Sequence, residues 1–267
     1  MKTFVINLDK YLNNFTYQKP FLENIGLKVE RFRGINALEN EHLNYKKYIN
    51  NFSQDFCPIS IIGCGLSHIL LSEYIYEKEH EITLIMEDDA FPLYDKEKFN
   101  KLLNKTIYEI SILDKDWDII QLHSDALFPT YETYSCHILA GSFAAYLISK
   151  KGAEKMKNLK LTWHIDIQVC TNSKFKKYRS HYNLFWTKEN TSLNRTENNL
   201  FLTNLYANIL SQIIPLRGEK TWEDFLKFKI LKIRGKDIYA YEIINNCLLI
   251  YICKFCYDNF NYNIKKA

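Results

Sequence analysis

Short apolar runs alternate with longer amphipathic stretches over the first half of the chain. A β-branched apolar run at residues 3–8 predicts a first buried strand, and the alternating residues 27–32 predict a second. The continuous apolar run 82–86 is typical of a central strand that is covered on both faces. Residues 117–122 predict a further short strand.

Helical patterns separate these strands. The Gly63-Cys64-Gly65 segment is expected to break the chain before Ser67, a candidate N-cap of a helix that runs to about Lys78. A second helix has its apolar residues at helical spacing, at Phe99, Leu102, Leu103, Ile107, Ile110 and Leu113. A third helix begins at Lys150. This alternation predicts an α/β fold with a largely parallel sheet between helices.

The pattern changes after about residue 200. The spacing of Trp222, Phe225, Leu226 and Lys229 predicts an amphipathic helix, and a second helical stripe lies between Ile243 and Phe255. We therefore divide the chain into an α/β domain, 1–200, and a C-terminal helical extension, 201–267, that packs on it. An alternative for the apolar segment 247–253 and the lysines that follow it is a peripheral contact with an anionic membrane.

Composition narrows the functional classes. The 267 residues are 47% hydrophobic and 25% charged, which is typical of a globular protein, and a net charge of +4 does not indicate a nucleic-acid binder. The apolar run at the N-terminus is too short for a signal peptide. Seven scattered cysteines are typical of a reducing compartment, so we expect a cytoplasmic protein. Cys253 and Cys256 have redox spacing, but no second pair of metal ligands lies near them.

Three consecutive acidic residues, Glu87, Asp88 and Asp89, follow the apolar run 82–86 directly. If they continue the strand, Glu87 and Asp89 share one face and Asp88 lies on the other. Open α/β sheets bind their ligands at the carboxyl ends of strands, and clustered carboxylates suit Mg²⁺ or Mn²⁺ bridging to a phosphate. The alternative is a solvated acidic turn. Neither a P-loop nor the glycine fingerprint of dinucleotide-binding folds occurs in the chain.

Six short segments follow one another at a characteristic spacing. They are Val5–Leu8, Val29–Phe32, Gly63–His68, Leu84–Ala90, Trp117–Leu122 and Ala145–Lys155. Together they resemble glycosyltransferase family 25, the lipooligosaccharide β-galactosyltransferases of bacteria and the related collagen galactosyltransferases, over residues 1–195. Two departures concern the donor and acceptor: Asn13-Asn14 stand where the family commonly has Arg, and Ile61-Ile62 where it often has Glu.

The resemblance implies a GT-A fold: a Rossmann-like mixed, mainly parallel sheet, flanked by helices, that binds a nucleotide-sugar. It further implies that Glu87 and Asp89 are the metal ligands of an Asp-x-Asp-type (DxD) element holding Mn²⁺ or Mg²⁺. Asp88 would contact the ribose or the donor sugar. Asn7 and Leu8, which follow the first strand, would border the nucleoside.

Four further residues belong to the predicted donor site. Ser67 and His68 are expected to open a helix whose N-terminal amides face the diphosphate; the alternative for His68 is a packing role. Gly141 and Ser142 are expected to line the pocket of the donor sugar, because glycine lets the backbone approach a ligand closely.

The predicted catalytic base is Asp166, where the family carries an aspartate before an apolar stretch. A loop-supporting role is the alternative for Asp166. The fallback bases are Asp118, Asp125 and Glu189. Beside Asp166, Trp163 is a candidate for stacking on a sugar, and His181 is a candidate for a further metal ligand.

The resemblance thus implies a metal-dependent, inverting transferase that moves a hexose, galactose by preference, from a UDP-sugar to a saccharide or glycolipid acceptor. The acceptor would belong to a bacterial lipooligosaccharide or another surface glycan, and the reaction would occur in the cytoplasm or at the inner face of the membrane. The alternatives are a non-catalytic GT-A domain that binds a nucleotide-sugar or glycan, and a collagen-type hydroxylysine galactosyltransferase.

Overall fold

The computed structural model describes most of the first 188 residues and two short strands beyond them. The described residues are 1–50, 54, 59–123, 142–162, 164–172, 174–188, 229–233 and 236–239, the last two ranges as backbone only. The strands are β1 (Lys2–Asn7), β2 (Val29–Arg33), β3 (Ile82–Glu87), β4 (Ala90–Pro92), β5 (Ile119–Gln121), β6 (Ala145–Ser149), β7 (Lys177–Arg179), β8 (Phe185–Thr187), β9 (Lys229–Ile233) and β10 (Lys236–Tyr239).

The helices are α1 (Leu12–Asn24), α2 (Ile59–Glu77), α3 (Lys96–Leu113), α4 (Lys150–Lys157) and α5 (Ile165–Thr171). Short 3₁₀ helices cover Asp9–Tyr11, Ala37–Glu39 and Glu41–Tyr48. Helices α3 and α4 lie where the sequence predicts them. Ser149 caps α4, because its side chain accepts a hydrogen bond from the Gly152 amide.

Six strands form the central sheet, in the order β2-β1-β3-β6-β5-β7. Strand β1 runs parallel to β2 and β3, and β5 runs parallel to β7. Strand β6 is antiparallel to both of its neighbours, β3 and β5. The sheet is therefore mixed and mainly parallel, as predicted. The carboxyl ends of β1, β3 and β5 share one edge of this sheet, and β6 begins there, because Ala145 lies opposite Met86.

Helices cover both faces of the sheet. Alternate residues of β3 enter different cores: Ile85 packs in the core shared with α2, α4 and α5, and Leu84 and Met86 in the core shared with α1 and α3. This arrangement explains the continuous apolar run of β3. Helix α2 is long and apolar enough to span a membrane by length and composition, but 61% of its most apolar window is buried inside the protein. We therefore describe α2 as a core helix.

Helix α2 corrects one prediction. It begins at Ile59, so Gly63 and Gly65 lie inside the helix and do not break the chain. Both glycines allow close contacts: a Cβ on Gly63 would lie 2.7 Å from the Ile35 carbonyl oxygen, and one on Gly65 would lie 2.5 Å from Leu161 Cδ1. Ser67 is not an N-cap. Its hydroxyl donates to the Gly63 carbonyl oxygen, 2.7 Å away, one turn earlier.

The C-terminal extension also differs where the structure describes it. Strands β9 and β10 pair as an antiparallel hairpin, so the prediction of helix is wrong for Lys229–Ile233 and Lys236–Tyr239. The rest of the extension, including the stripe from Ile243 to Phe255 and the Cys253/Cys256 pair, lies outside the described residues. The division at residue 200 and the membrane contact stay predictions.

Candidate functional site

The edge of the sheet formed by the carboxyl ends of β1, β3 and β5 gathers most of the predicted site residues. Strand β1 ends at Asn7, and β3 ends at Glu87. Strand β5 ends at Gln121 and is followed by the buried His123. Polar groups at such an edge face the crevice in which open α/β sheets bind their ligands.

The acidic segment turns sharply at this edge. Strand β3 ends at Glu87, and Asp88 and Asp89 form the turn to β4. The three residues therefore do not continue the strand, which was the condition for placing Glu87 and Asp89 on one strand face. The side chain of Gln18, on α1, holds this turn. Its Nε2 donates to the Glu87 carbonyl oxygen at 2.8 Å and to the Ala90 carbonyl oxygen at 2.5 Å. The carbonyls on either side of the Asp88-Asp89 turn are thereby hydrogen-bonded within the protein.

Asp88 faces α1 and β1. Its Oδ2 accepts hydrogen bonds from Asn7 Nδ2 at 2.6 Å and from Asn14 Nδ2 at 3.4 Å. The Asn7 amide also donates to the Tyr11 carbonyl oxygen at 2.8 Å and accepts from Arg31 Nε at 2.7 Å. Asn7 is buried, and its amide is hydrogen-bonded within the protein. In this structure, Asn7 therefore positions Asp88.

Glu87 faces the opposite helix, α2. Its Oε1 lies 3.2 Å from His68 Nε2 and 3.5 Å from Cys64 Sγ. The second ring nitrogen of His68, Nδ1, lies 2.9 Å from the Tyr146 hydroxyl. Because Ser67 and His68 lie well inside α2, the prediction that they open a helix is wrong, and their amides are not those of a helix N-terminus. The His68 side chain reaches the site instead.

The three carboxylates have different pKa values. Burial, together with the charges of Glu87 and Asp88, raises the pKa of Asp89 to about 7. Burial also raises the pKa of Asp88, although the Asn7 hydrogen bond opposes it. Burial acts on Glu87 in the same direction, but the hydrogen bond and the charge of His68 outweigh it and lower the pKa. A bound cation would stabilise the ionised forms of Asp88 and Asp89.

Asp166 lies near this group. It occupies the first turn of α5 and is half-buried. Burial and the charge of Glu87 raise the pKa of the Cys64 thiol, and the charges of Asp166 and Asp89 add to this shift. The charge of Asp166 thus acts on the same thiol as the charges of Glu87 and Asp89.

The fallback base Asp118 is at the other edge of the sheet. It is fully buried before β5, and its Oδ2 accepts from Lys155 Nζ and, at 2.7 Å, from the Lys176 amide. This position excludes Asp118 from the site. His181 is exposed and packs edge-on against Tyr182, outside the Cys64, His68 and Glu87 group.

Two more predicted positions lie at the same end of the sheet, next to β6 and β1. Ser142 is buried before β6, and its carbonyl oxygen accepts from Gln121 Nε2 at 3.0 Å. Leu8 follows β1, and its carbonyl oxygen accepts from the Tyr11 amide at 2.9 Å. Four predicted residues lie outside the described residues, namely Gly141, Trp163, Asp125 and Glu189.

Sequence reasoning missed several residues of this edge. Gln18 and Tyr146 carry no chemical signal in the sequence. Cys64 stands four residues before His68, the spacing that places two side chains on one face of a helix. His123 follows a predicted strand directly, at the same edge as the acidic turn, and its Nδ1 lies 3.0 Å from the Phe185 carbonyl oxygen. The four-residue spacing of Cys64 and His68, and the position of His123 after a predicted strand, are therefore sequence signals that could have indicated these site residues.

The family model described as Glycosyltransferase family 25 (LPS biosynthesis protein) matches residues 1–171. This range contains every predicted site residue from Asn7 to Asp166. The chain belongs to glycosyltransferase family 25. It therefore has a glycosyltransferase role, with a sugar donor and an acceptor as its substrates.

Similarity to solved structures is weaker. The crystal structure of A197 from STIV aligns with a TM-score of 0.41 and 10% identity, over 70% of this chain and 86% of that chain. The crystal structure of a glycosyltransferase involved in the glycosylation of the major capsid of PBCV-1 aligns with a TM-score of 0.32 and 12% identity, over 58% of this chain and 62% of that chain. A search of curated proteins finds no match. The assignment of the chain to its family therefore rests on the family model and not on these structures.

Proposed function

We propose that this family member is a metal-dependent, inverting glycosyltransferase that moves galactose from a UDP-sugar to a saccharide acceptor. The acceptor belongs to a bacterial lipooligosaccharide or another surface glycan, and the reaction takes place on the cytoplasmic side of the membrane. The observation that carries this proposal is the acidic turn of Glu87, Asp88 and Asp89 at the ligand-binding edge of the sheet.

The donor set of this turn fits a hard divalent cation. Asp88 and Asp89 offer carboxylate oxygens, the ligands that Mg²⁺ and Mn²⁺ prefer. Their raised pKa values arise from burial and neighbouring negative charge, which a cation would offset. We assign Asp89 as the direct ligand. Glu87 would assist through Oε2, because its Oε1 already contacts His68 and Cys64. When bound, the cation would act as a Lewis acid on the departing diphosphate.

The chain's own residues would orient the two substrates. Asp88, held by Asn7 and Asn14, would present a fixed carboxylate to the ribose or the donor sugar. Leu8 would border the nucleoside, and Ser142 would line the pocket of the donor sugar. These assignments agree with positions at one edge of the sheet, which a single extended nucleotide-sugar can span.

Asp166 is our candidate for the catalytic base. Inversion requires a base on the side of the sugar opposite the diphosphate, where it accepts the proton of the attacking hydroxyl. Asp166 is on α5 and not on the acidic turn, yet both groups lie close enough to Cys64 to affect its pKa.

Hydrolysis of a panel of UDP-hexoses by the purified full chain tests the proposal. We expect Mn²⁺ or Mg²⁺ to be required, chelator to abolish turnover, and UDP-galactose to react faster than UDP-glucose. The stereochemistry of the transferred galactose, read by NMR on a saccharide acceptor, tests inversion separately. A chain that binds UDP-galactose but turns over no UDP-sugar with any metal would instead be the non-catalytic alternative.

A further inference from the structure

We propose that Cys64, His68 and Glu87 form a binding site for Zn²⁺ on the α2 side of the sheet. This site lies beside the cation assigned to Asp89 and shares Glu87 with it: Oε1 would bind the zinc, and Oε2 would face the neighbouring cation. A thiol, an imidazole and a carboxylate form a mixed soft and hard donor set, which suits zinc better than magnesium or manganese. The inference rests on metal-ligand geometry, and its test is metal binding, so it stands independently of the sugar chemistry.

The distances between the donor atoms fit a single tetrahedral ion. His68 Nε2 lies 3.2 Å from Glu87 Oε1, and Cys64 Sγ lies 3.5 Å from the same oxygen. With zinc bonds of ~2.0 Å to oxygen and nitrogen and ~2.3 Å to sulfur, tetrahedral angles require separations of about 3.3 Å and about 3.5 Å. All three donor atoms lie within 4.8 Å of one another. Two of the three separations therefore already match.

The fold holds these ligands in place from two directions. Cys64 and His68 are one turn apart on α2, so their side chains lie on one face of the helix. Glu87 is the last residue of β3, and both of its backbone polar groups are bound: the amide donates to the Ala144 carbonyl oxygen at 2.9 Å, and the carbonyl accepts from Gln18. The ligand positions are thus set by the fold before any ion binds.

Tyr146 can orient the histidine. Metal-bound histidines usually donate their second ring N–H to a neighbouring acceptor, which fixes the tautomer. The Tyr146 hydroxyl lies 2.9 Å from His68 Nδ1 and can either donate or accept. When it accepts from Nδ1, the lone pair of Nε2 faces Glu87 and Cys64. The Phe143 ring, stacked on Tyr146 at 4.4 Å, supplies an apolar wall beside this contact.

The charges and protons balance. Zn²⁺ would bind the Cys64 thiolate, the neutral His68 and the Glu87 carboxylate, so the two negative ligands match the ion's charge. The thiol proton of Cys64 is released to solvent when the metal binds. Three protein ligands leave a fourth position for a water molecule or a substrate oxygen.

Cobalt substitution in the full chain tests the site. After treatment with chelator, titration with Co²⁺ alone should give a thiolate-to-cobalt charge-transfer band that saturates at one equivalent per chain for this site and that Zn²⁺ removes. Cys64→Ser should abolish this band. Cys170→Ser, which changes the other cysteine among the described residues, should keep it. A Cys253→Ser/Cys256→Ser double variant should also keep it. Tyr146→Phe should weaken Co²⁺ binding about 10-fold without removing the band.

A second measurement needs no variant and covers the case in which Cys64→Ser fails to fold. Alkylation of the wild-type chain, followed by peptide mass mapping, should show that Zn²⁺ protects Cys64 and leaves the labelling of Cys170 unchanged. The inference is wrong if the wild type lacks the charge-transfer band, if folded Cys64→Ser retains it, or if Zn²⁺ does not protect Cys64. Loss of the band in the double variant would move the metal to Cys253 and Cys256 and would also overturn it.

Discussion

The two edges of the central sheet carry acidic residues in contrasting surroundings. At the edge before β5, the fully buried Asp118 contacts Lys155 and the Lys176 amide. Asp114 accepts from Lys176 Nζ at 2.9 Å and from the Tyr178 hydroxyl at 2.7 Å. The hydrogen bond from Lys176 is the main reason that the pKa of Asp114 falls to about 2. Lys176 therefore favours the ionised form of Asp114.

At the opposite edge, three carboxylates follow one another directly, at the end of β3 and in the turn to β4. Asp88 accepts from the neutral amides of Asn7 and Asn14, and Glu87 contacts His68 and Cys64. The pKa values of Asp88 and Asp89 rise because burial and mutual repulsion favour the neutral acids. Asp114 and Asp118 thus contact lysines, whereas Asp88 and Glu87 contact amides, an imidazole and a thiol, and carboxylates with raised pKa values are common at functional sites.

The largest effect that we expect is on catalysis at the acidic turn. Asp89→Asn removes the proposed direct metal ligand, so turnover of UDP-galactose should fall about 10³-fold, equivalent to ~4 kcal/mol in the activation barrier. The melting temperature should stay the same or rise, because one of three repelling carboxylates is gone. Turnover and thermal unfolding of the same preparation check both statements. If Asp89→Asn instead loses stability but keeps activity, Asp89 stabilises the fold and is not a metal ligand, contrary to our assignment.

Asp118→Ala should have the opposite outcome. It removes the buried partner of Lys155 and the acceptor of the Lys176 amide, so the free energy of unfolding should fall by about 3 kcal/mol. Chemical denaturation measures this loss. The turnover of the molecules that remain folded should equal that of the wild type. A specific loss of turnover in fully folded Asp118→Ala would return Asp118 to the list of candidate catalytic residues.

The edge of the sheet that carries the site was predictable, because a buried apolar run followed by three acids is a local signal. The start of α2 was not. Glycine is a poor helix former, so Gly63 and Gly65 indicate a break, yet the helix continues through them. Tertiary packing explains why glycines stand at these two helical positions. Ile35 lies so close to Gly63, and Leu161 so close to Gly65, that a side chain at either position would collide.

Contacts between distant segments explain the other failures. Asn7 and Asp88 are hydrogen-bonded across 81 residues, and no pattern near either one indicates the other. Helix α1 was not predicted, because its interior contains Pro20 and asparagines with low helix propensity. It nevertheless supplies Asn14 and Gln18 to the acidic turn. Hydrophobic periodicity predicts the helices and strands. The hydrogen-bond partners of the site residues can be identified only in the folded structure, because they lie on distant segments.

A substitution of Gln18 tests whether one residue at the ligand edge contributes to both the stability of the fold and turnover. Gln18→Met keeps the size of the side chain but removes the donor shared by the Glu87 and Ala90 carbonyls. We expect a loss of about 2 kcal/mol in the free energy of unfolding, because both carbonyls lose a hydrogen bond. Turnover should also fall, since the acidic turn is less firmly held. Lys19→Ala, on the neighbouring residue, is the control and should leave both quantities nearly unchanged, as its ion pair with Glu23 is exposed.

The smallest effect that we expect is the pH dependence of the lysine-paired edge. Because the pKa of Asp114 is about 2 when folded and ~3.9 when unfolded, its ionisation stabilises the fold above pH ~4, and the stabilisation is lost as the pH falls toward 2. At pH 7, Asp114→Asn should therefore lower the free energy of unfolding by less than ~1 kcal/mol, since Lys176 is partly exposed, and should lower the melting temperature accordingly. The difference should shrink steadily as thermal melts are repeated at lower pH.

Asp116→Asn is the control, because its contacts with Lys151 and Lys176 are long, at 3.6 and 4.0 Å. A difference for Asp114→Asn that does not change between pH 7 and pH 3 would mean that Lys176 does not depress the pKa of Asp114, and the contrast between the two edges would then rest on Asp118 alone.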